Sequence, residues 1–306
     1  MRVLVVAETD PRSGLPRRGA QLRLSSPPEG VSYYLLTGGA YVAPRSYSSM
    51  GVLDVISSAV RQAARLASLA GRGFDLVHSF FIDLTRFAAR WVHESDESPG
   101  QYLEGYLGVG GRAASMLREL LAARLNSDSC AAVITWSKWA AAGFAEDGVD
   151  RAKVRVIPPP VPARSRRPHA TVNVLFVGRE PFRKGLDLVL EAAAIVLDRE
   201  ENVRFYVVAP GASRLLRRLD EAAAEKVVAY DRVSEGLLRD SILPATDLVL
   251  APSRFDAYNL TVLEAMSYGA VPVVSAVGAL PELVGDAGVV LKDPDGWALA
   301  DVVEEL

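Results

Sequence analysis

The sequence predicts an α/β protein built from two doubly wound, parallel-sheet domains. Three observations carry this reading. Short β-branched apolar runs recur along the chain, and most are followed by a helical pattern. The runs are apolar at consecutive positions, as strands covered on both faces are. A proline-rich stretch, Pro158-Pro159-Pro160-Val161-Pro162, interrupts the pattern near mid-chain, after which it restarts. Proline continues neither a helix nor a central strand. The expected division is therefore a first domain over 1–158, a linker over 159–171 and a second domain over 172–306. A chain of 306 residues accommodates two domains of about 150 residues each, and the alternation implies βα units with right-handed crossovers.

In the first half, strands are expected at 3–7, 31–36, 76–79 and 132–136, and helices at 52–69, 102–125 and 138–145. Residues 9–19 read as a Pro/Arg/Gly loop, with no amphipathic helix before Pro27-Pro28. In the second half, strands are expected at 172–177, 203–208, 227–230, 248–251, 271–275 and 289–291. Helices are expected at 184–198, 213–224, 234–241, 260–267 and 297–306. Asn259 is a natural N-cap for the helix over 260–267 and Gly269 a natural C-cap. Asp293-Pro294-Asp295 imitates a metal-binding acid pair but reads as a turn and N-cap before the last helix.

Composition excludes several classes. Half the residues are apolar and 23% are charged, as in ordinary globular proteins. A net charge of −3 gives no global basis for binding nucleic acid. Cys130 is the single cysteine, so an intramolecular disulfide and a cysteine-rich metal site are both excluded. It sits beside the apolar run 131–134 and reads as a small core residue. His78, His93 and His169 lack metal-ligand spacing, so no metal is expected. The first apolar run stops at Glu8, which is short for a signal peptide. No run approaches the roughly 18 apolar residues of a membrane helix. A cytoplasmic protein is the default expectation. Arg12, Arg17 and Arg18 offer a place for peripheral contact with an anionic membrane surface, a solvated loop being the competing reading.

Two stretches carry chemistry. Val177-Gly178-Arg179-Glu180-Pro181-Phe182-Arg183-Lys184-Gly185 lies between a strand and a helix, where open α/β sheets bind ligands. A helix N-terminus there presents free backbone N–H groups to an anion. Gly178 lets the chain leave the strand freely, and Arg179 and Lys184 add a fork and a point charge. Each charge-assisted hydrogen bond contributes about 1.5–3 kcal/mol. The glycine spacing fits neither a Walker loop nor a dinucleotide fingerprint. The second stretch runs from Ala251 to Met266 and also follows a strand. Asp256 falls in the turn before the helix and Glu264 on its second turn, with seven residues between them. They can line one pocket at different depths, and the amides of Leu260 and Thr261 can hold a phosphate. Taken singly, each stretch is also compatible with a solvated surface.

Together they resemble a known family. The segment from about Val172 to Asp301 resembles the family 4 retaining glycosyltransferases, which have the two-domain GT-B fold. The resemblance lies in Phe176-Val177-Gly178-Arg179 with Lys184-Gly185, Asp247 with Pro252-Ser253, Leu263-Glu264-Ala265-Met266, Gly269 and Pro272-Val273-Val274. It implies two Rossmann-like domains facing across a cleft. It also implies that Arg179 and Lys184 grip a donor diphosphate, and that Glu264 binds ribose hydroxyls. Asp256 would hold hydroxyls of the transferred sugar, and the backbone of Tyr258, Asn259, Leu260 and Thr261 would meet sugar and phosphates. Arg232 and Val233 would pass under the base. In the first half the likeness is weaker: residues 74–78 look like a family strand, and His93-Glu94 resembles a pair whose histidine faces the sugar. His78 reads as structural. Asp256 stands where the family usually has glutamate, Asn259 where it has glycine, and Pro159-Pro160 where it has Asn-Gly.

The resemblance implies metal-independent, retaining transfer of a sugar from a nucleoside diphosphate sugar to a hydroxyl acceptor, with no further cofactor. The alternatives are a non-catalytic nucleotide-sugar-binding protein or partner subunit, and a GT-B epimerase. A nicotinamide dehydrogenase fits least, because residues 3–7 lead into no dinucleotide loop.

Overall fold

A computed structural model describes residues 1–7, 15–35, 73–81, 89–215, 219 and 221–306. The helix expected over 52–69 lies outside the described residues, as do Arg12 and the rest of 8–14. The chain divides into two compact units, Met1–Pro160 and Val161–Leu306. Among the described residues each contains one six-stranded sheet in which every strand pair is parallel.

In the second unit the strands are β7 (Val172–Val177), β8 (Val203–Val208), β9 (Val227–Tyr230), β10 (Leu248–Ala251), β11 (Val271–Ser275) and β12 (Val289–Leu291). Their order is β12-β11-β10-β7-β8-β9. The chain builds outward from β7 on one side, then crosses to β10 and builds outward on the other. The loops after β7 and β10 therefore flank the switch point where such sheets bind ligands. Period-two geometry sends alternate residues of each strand to opposite faces. Val174, Phe176, Leu248 and Leu250 pack in one core with the helix Leu186–Arg199. Leu175, Val249 and Ala251 pack in the other with Val262 and Ala265 of the helix Leu260–Ser267. Both faces being covered is why these strands read as largely apolar runs.

The helix expected over 184–198 is instead two, Pro181–Lys184 and Leu186–Arg199. Gly185 separates them in a left-handed conformation, φ 80°. A Cβ there would run into the carbonyl oxygen of Pro252, so glycine lets the two loops touch. The helix Leu280–Val284 was not expected: five residues are too few for a helical period to register. The N-caps Asn259 and Asp295 take the expected positions, accepting from Val262 N at 3.2 Å and Ala298 N at 2.7 Å. Residues of the expected linker run along the second unit. Arg164 N donates to the Ser267 carbonyl and Arg167 N to the Pro244 carbonyl, each at 2.7 Å, and Arg166 pairs with Asp247.

In the first unit the strands are β1 (Arg2–Val6), β2 (Ser32–Leu35), β3 (Leu76–Phe80), β4 (Trp91–Ser95), β5 (Cys130–Thr135) and β6 (Val154–Val156), ordered β2-β1-β3-β4-β5-β6. No amphipathic helix was expected before Pro27, yet a helix forms at Arg18–Ser25, its first two residues lying in the expected loop. It has no side-chain N-cap bond and no strong helical stripe; tertiary contacts hold it. Ala20 and Leu22 are buried, and Gly19 admits the Trp136 ring, which a Cβ would strike. The single helix expected over 102–125 breaks into Pro99–Gly105 and Gly111–Leu125, with Gly108 and Gly111 at positive φ between or at the junction. β4 escaped the strand reading because His93, Glu94 and Ser95 make it polar, yet all three are buried.

Candidate functional site

At the switch point of the second unit, the loop after β7 and the loop after β10 are cross-strapped. Arg254 N donates to the Arg183 carbonyl at 2.8 Å, and Arg183 Nη1 donates to the Phe255 carbonyl at 2.7 Å. Arg254 returns the contact, donating to the Phe182 carbonyl at 2.6 Å and to Asp187 at 2.7 Å. Arg183 and Arg254 were not singled out in the sequence, although both lie inside the two chosen stretches.

This strapping brings Lys184 to Asp256, with Nζ 2.5 Å from Oδ2. Asp256 is 1% exposed and also accepts from Asn259 Nδ2 at 3.0 Å and Ser253 Oγ at 3.1 Å. Gly178 has no room for a side chain: a Cβ would lie 2.8 Å from Lys184 Cβ. Burial pushes the Lys184 pKa down from its ordinary value; Asp256 opposes that and Arg183 adds to it. Arg179 is exposed at the mouth of the same loop. Asn259 has φ −90°, so the family's glycine at this position meets no conformational demand here that asparagine fails to satisfy. The Tyr258 phenol is pushed up to about 12, chiefly by burial and then by the charge of Glu282.

Glu264 is 6% exposed on the helix Leu260–Ser267 and accepts from Arg239 Nε at 3.2 Å. Arg239 also pairs with Glu235 at 2.9 Å, one helical turn away. The sequence reading missed Arg239. The Glu235/Arg239 spacing within the segment expected to be helical was the available signal. Arg232 is exposed and Val233 half-buried just before this segment. Lys184, Asp256 and Asn259 are thus gathered into one cluster, Arg179 is exposed on the loop that leads to Lys184, and Glu264 lies on the helix that Asn259 caps. Among the described residues no group of His, Cys, Asp and Glu is arranged to hold a metal ion.

In the first unit, His93 and Glu94 point to opposite faces of β4. Glu94 is 0% exposed and accepts from Trp136 Nε1 at 2.8 Å, Arg23 Nη2 at 2.9 Å and His78 Nε2 at 2.9 Å. His93 is 5% exposed beside Trp91 and Phe144, at a small cavity lined by Ser95, Glu97, Leu121 and Arg124. Its Nδ1 has no hydrogen-bond partner among the described residues. Burial, then the charges of Arg124 and His78, push its pKa down to about 3. The unfolded ring takes a proton near pH 6.5 and the folded ring does not. This residue therefore withdraws stability as pH falls from about 6.5 to about 3, by about 1.4 kcal/mol per pH unit. His93→Phe is expected to move the acid-unfolding midpoint, followed by circular dichroism, to lower pH; a midpoint unchanged or higher contradicts the buried neutral ring.

A glycine-turn cation beside a buried carboxylate, at the switch point of a parallel sheet, defines an α/β domain suited to an anionic ligand. Residues 171–306, nearly all of the second unit, match the family described as glycosyl transferases group 1. Glycogen synthase 2 of Bradyrhizobium diazoefficiens is 32% identical over 135 residues, 42% of this chain but 27% of that enzyme. The matched segment is thus about a quarter of that relative's length. Across both units, the fold is that of sucrose-phosphate synthase from Thermosynechococcus elongatus, with a TM-score of 0.68 at 17% identity, covering 99% of this chain and 88% of that one. Anabaena HepE, solved in complex with UDP and glucose, superposes with a TM-score of 0.64 at 14% identity, covering 100% of this chain and 89% of that one. The fold class is GT-B. No helix among the described residues is long and apolar enough to cross a membrane.

Proposed function

We propose that the chain transfers a sugar from a nucleoside diphosphate sugar to a hydroxyl acceptor, with retention at the anomeric carbon and without a metal ion. The carrying observation is the cluster of Lys184 on Asp256 at the switch point, with Arg179 exposed on the same loop as Lys184. In this reading Lys184 and Arg179 neutralise charge growing on the leaving diphosphate, a stabilisation that strengthens towards the transition state. Glu264, oriented by Arg239, accepts from the ribose hydroxyls. The amides of Leu260 and Thr261 at the capped helix start face the phosphates, and the segment at Arg232 and Val233 borders the base. The sequence positions no obvious nucleophile, and this reading takes departure and attack on one face of the sugar. His93 is assigned to the packing of the first unit. The proposed setting is cytoplasmic.

The test is a thermal-shift screen with UDP, GDP, ADP and their sugars, followed by product analysis by NMR. A nucleotide at a hundred times its Kd raises stability by about 2.7 kcal/mol. One nucleotide series is expected to shift the melting curve, and its sugar to be transferred with the anomeric configuration kept, in the presence of EDTA. The absence of a shift with any nucleotide sinks the reading. Tight binding with neither transfer nor hydrolysis turns it into the non-catalytic alternative.

A further inference from the structure

This inference rests on the donor-binding reading above and concerns what Asp256 does within it. All three hydrogen bonds made by the Asp256 side chain fall on one oxygen, Oδ2, from Lys184, Asn259 and Ser253. The carboxylate has little freedom to turn elsewhere. Its backbone lies against Gly278, at φ 57°, where any Cβ would collide with the Asp256 carbonyl oxygen. The preceding carbonyl, of Phe255, is held by Arg183. Asn259 is committed twice, donating to Asp256 through Nδ2 and capping the next helix through Oδ1. The carboxylate is thus fixed on the loop after β10 and reaches across to a cation on the loop after β7.

We propose that Asp256 is a positioning residue for Lys184: held by Ser253 and Asn259, it sets the place and charge of the ammonium that meets the donor diphosphate, rather than grasping the transferred sugar.

The groups facing Lys184 are Asp256, Arg183 and Glu180. Burial pulls its proton affinity down, Asp256 restores it most, Arg183 lowers it again and Glu180 adds a smaller restoring effect. Removing the Asp256 charge leaves burial and Arg183 less opposed. Lys184 then loses its proton at lower pH, and a diphosphate that needs the ammonium is released sooner as pH rises. A carboxylate whose only business is the sugar has the opposite signature, since its removal spares a sugar-free nucleotide or even tightens it by removing a like charge.

The experiment measures binding of UDP, GDP and ADP, without sugar, by calorimetry from mildly acidic to strongly alkaline pH. It compares wild type with Asp256→Asn and Ser253→Ala. For the nucleotide wild type binds best, Asp256→Asn is expected to weaken affinity about tenfold or more, the worth of one charge-assisted hydrogen bond. The alkaline loss of binding is expected to begin at lower pH. Ser253→Ala, which removes one support of the carboxylate, is expected to show the same two changes to a smaller degree, and decides the matter if Asp256→Asn does not fold. Wild-type affinity and pH profile in both variants overturn this inference and leave donor binding standing. Failure of wild type to bind any of the three nucleotides overturns both.

Discussion

Lys184→Ala is expected to lower kcat/KM for donor turnover by about 100- to 1,000-fold, the usual cost of deleting one preorganised group that meets developing charge. The ammonium sits on a turn that the chain has built around it. Gly178 leaves it room, Gly185 presses its turn against Pro252, and Asp256 holds its Nζ. Deletion has a second consequence, in stability. The Asp256 carboxylate stays buried and loses its counter-charge, and breaking a buried pair from one side costs about 3–5 kcal/mol. Ser253 and Asn259 still donate to it, so the loss is expected near the lower end of that range. Lys184→Ala combined with Asp256→Asn separates the two effects. The double variant is expected to recover most of the lost melting temperature and none of the lost turnover. Unchanged turnover in the single variant removes the lysine from the chemistry. Equal recovery of both quantities in the double variant means that folding alone was being measured.

The second unit was legible in its sequence because each strand there is covered on both faces. The run Leu248–Ala251 carries no competing polar signal, Val203–Val208 carries only the exposed Arg204, and the bounds of both are those expected. The cap residues Asn259 and Asp295 marked helix starts by local chemistry alone. The first unit was less legible for a reason seen in β4. Its polar residues are buried because Arg23, His78 and Trp136, remote in sequence, converge on Glu94. The helix Arg18–Ser25 follows the same logic, since what fixes it is Arg23 on Glu94 and Gly19 under Trp136, more than 70 positions away in each case. At the candidate site the sequence supplied Arg179, Lys184, Asp256 and Glu264, each near a strand end or helix start. Arg239 escaped because its partner, Glu264, lies 25 positions on. The Lys184–Asp256 pair was named as two separate ligand contacts, because a bond spanning 72 positions has no local signature.

Glu94→Ala is expected to destabilise the first unit by about 3–5 kcal/mol, a large part of the roughly 5–15 kcal/mol that holds a domain folded. The substitution removes the one acceptor shared by the Arg23 guanidinium, the His78 ring and the Trp136 indole, all inside a site where the carboxylate has no exposure. Arg23 keeps its bond to the Ile157 carbonyl at 2.9 Å, but its charge no longer has the buried partner. The helix Arg18–Ser25 is expected to loosen first, because Arg23 is its polar tie to β4. Hydrogen exchange of that helix should quicken before that of β1. Glu94→Gln keeps the shape but turns a donor towards Arg23 and His78, so it is expected to recover little. The pH dependence has a definite sign. Burial alone would raise the Glu94 pKa, but the hydrogen bond and charge of His78, with the charge of Arg23, outweigh it and hold the acid below its ordinary value. A depressed folded pKa means that the stabilisation is fully present above the unfolded carboxylate range, about 4.3, and is lost as pH falls through the folded value. Wild type and Glu94→Ala should therefore differ most near neutral pH and converge in strong acid. Arg23→Ala combined with Glu94→Ala is expected to cost less than the sum of the single variants, since each alone strands the other's charge. Additive losses in that cycle, or a gap between wild type and Glu94→Ala that does not narrow in acid, rule out a charged cluster as the tie between the helix Arg18–Ser25 and the sheet.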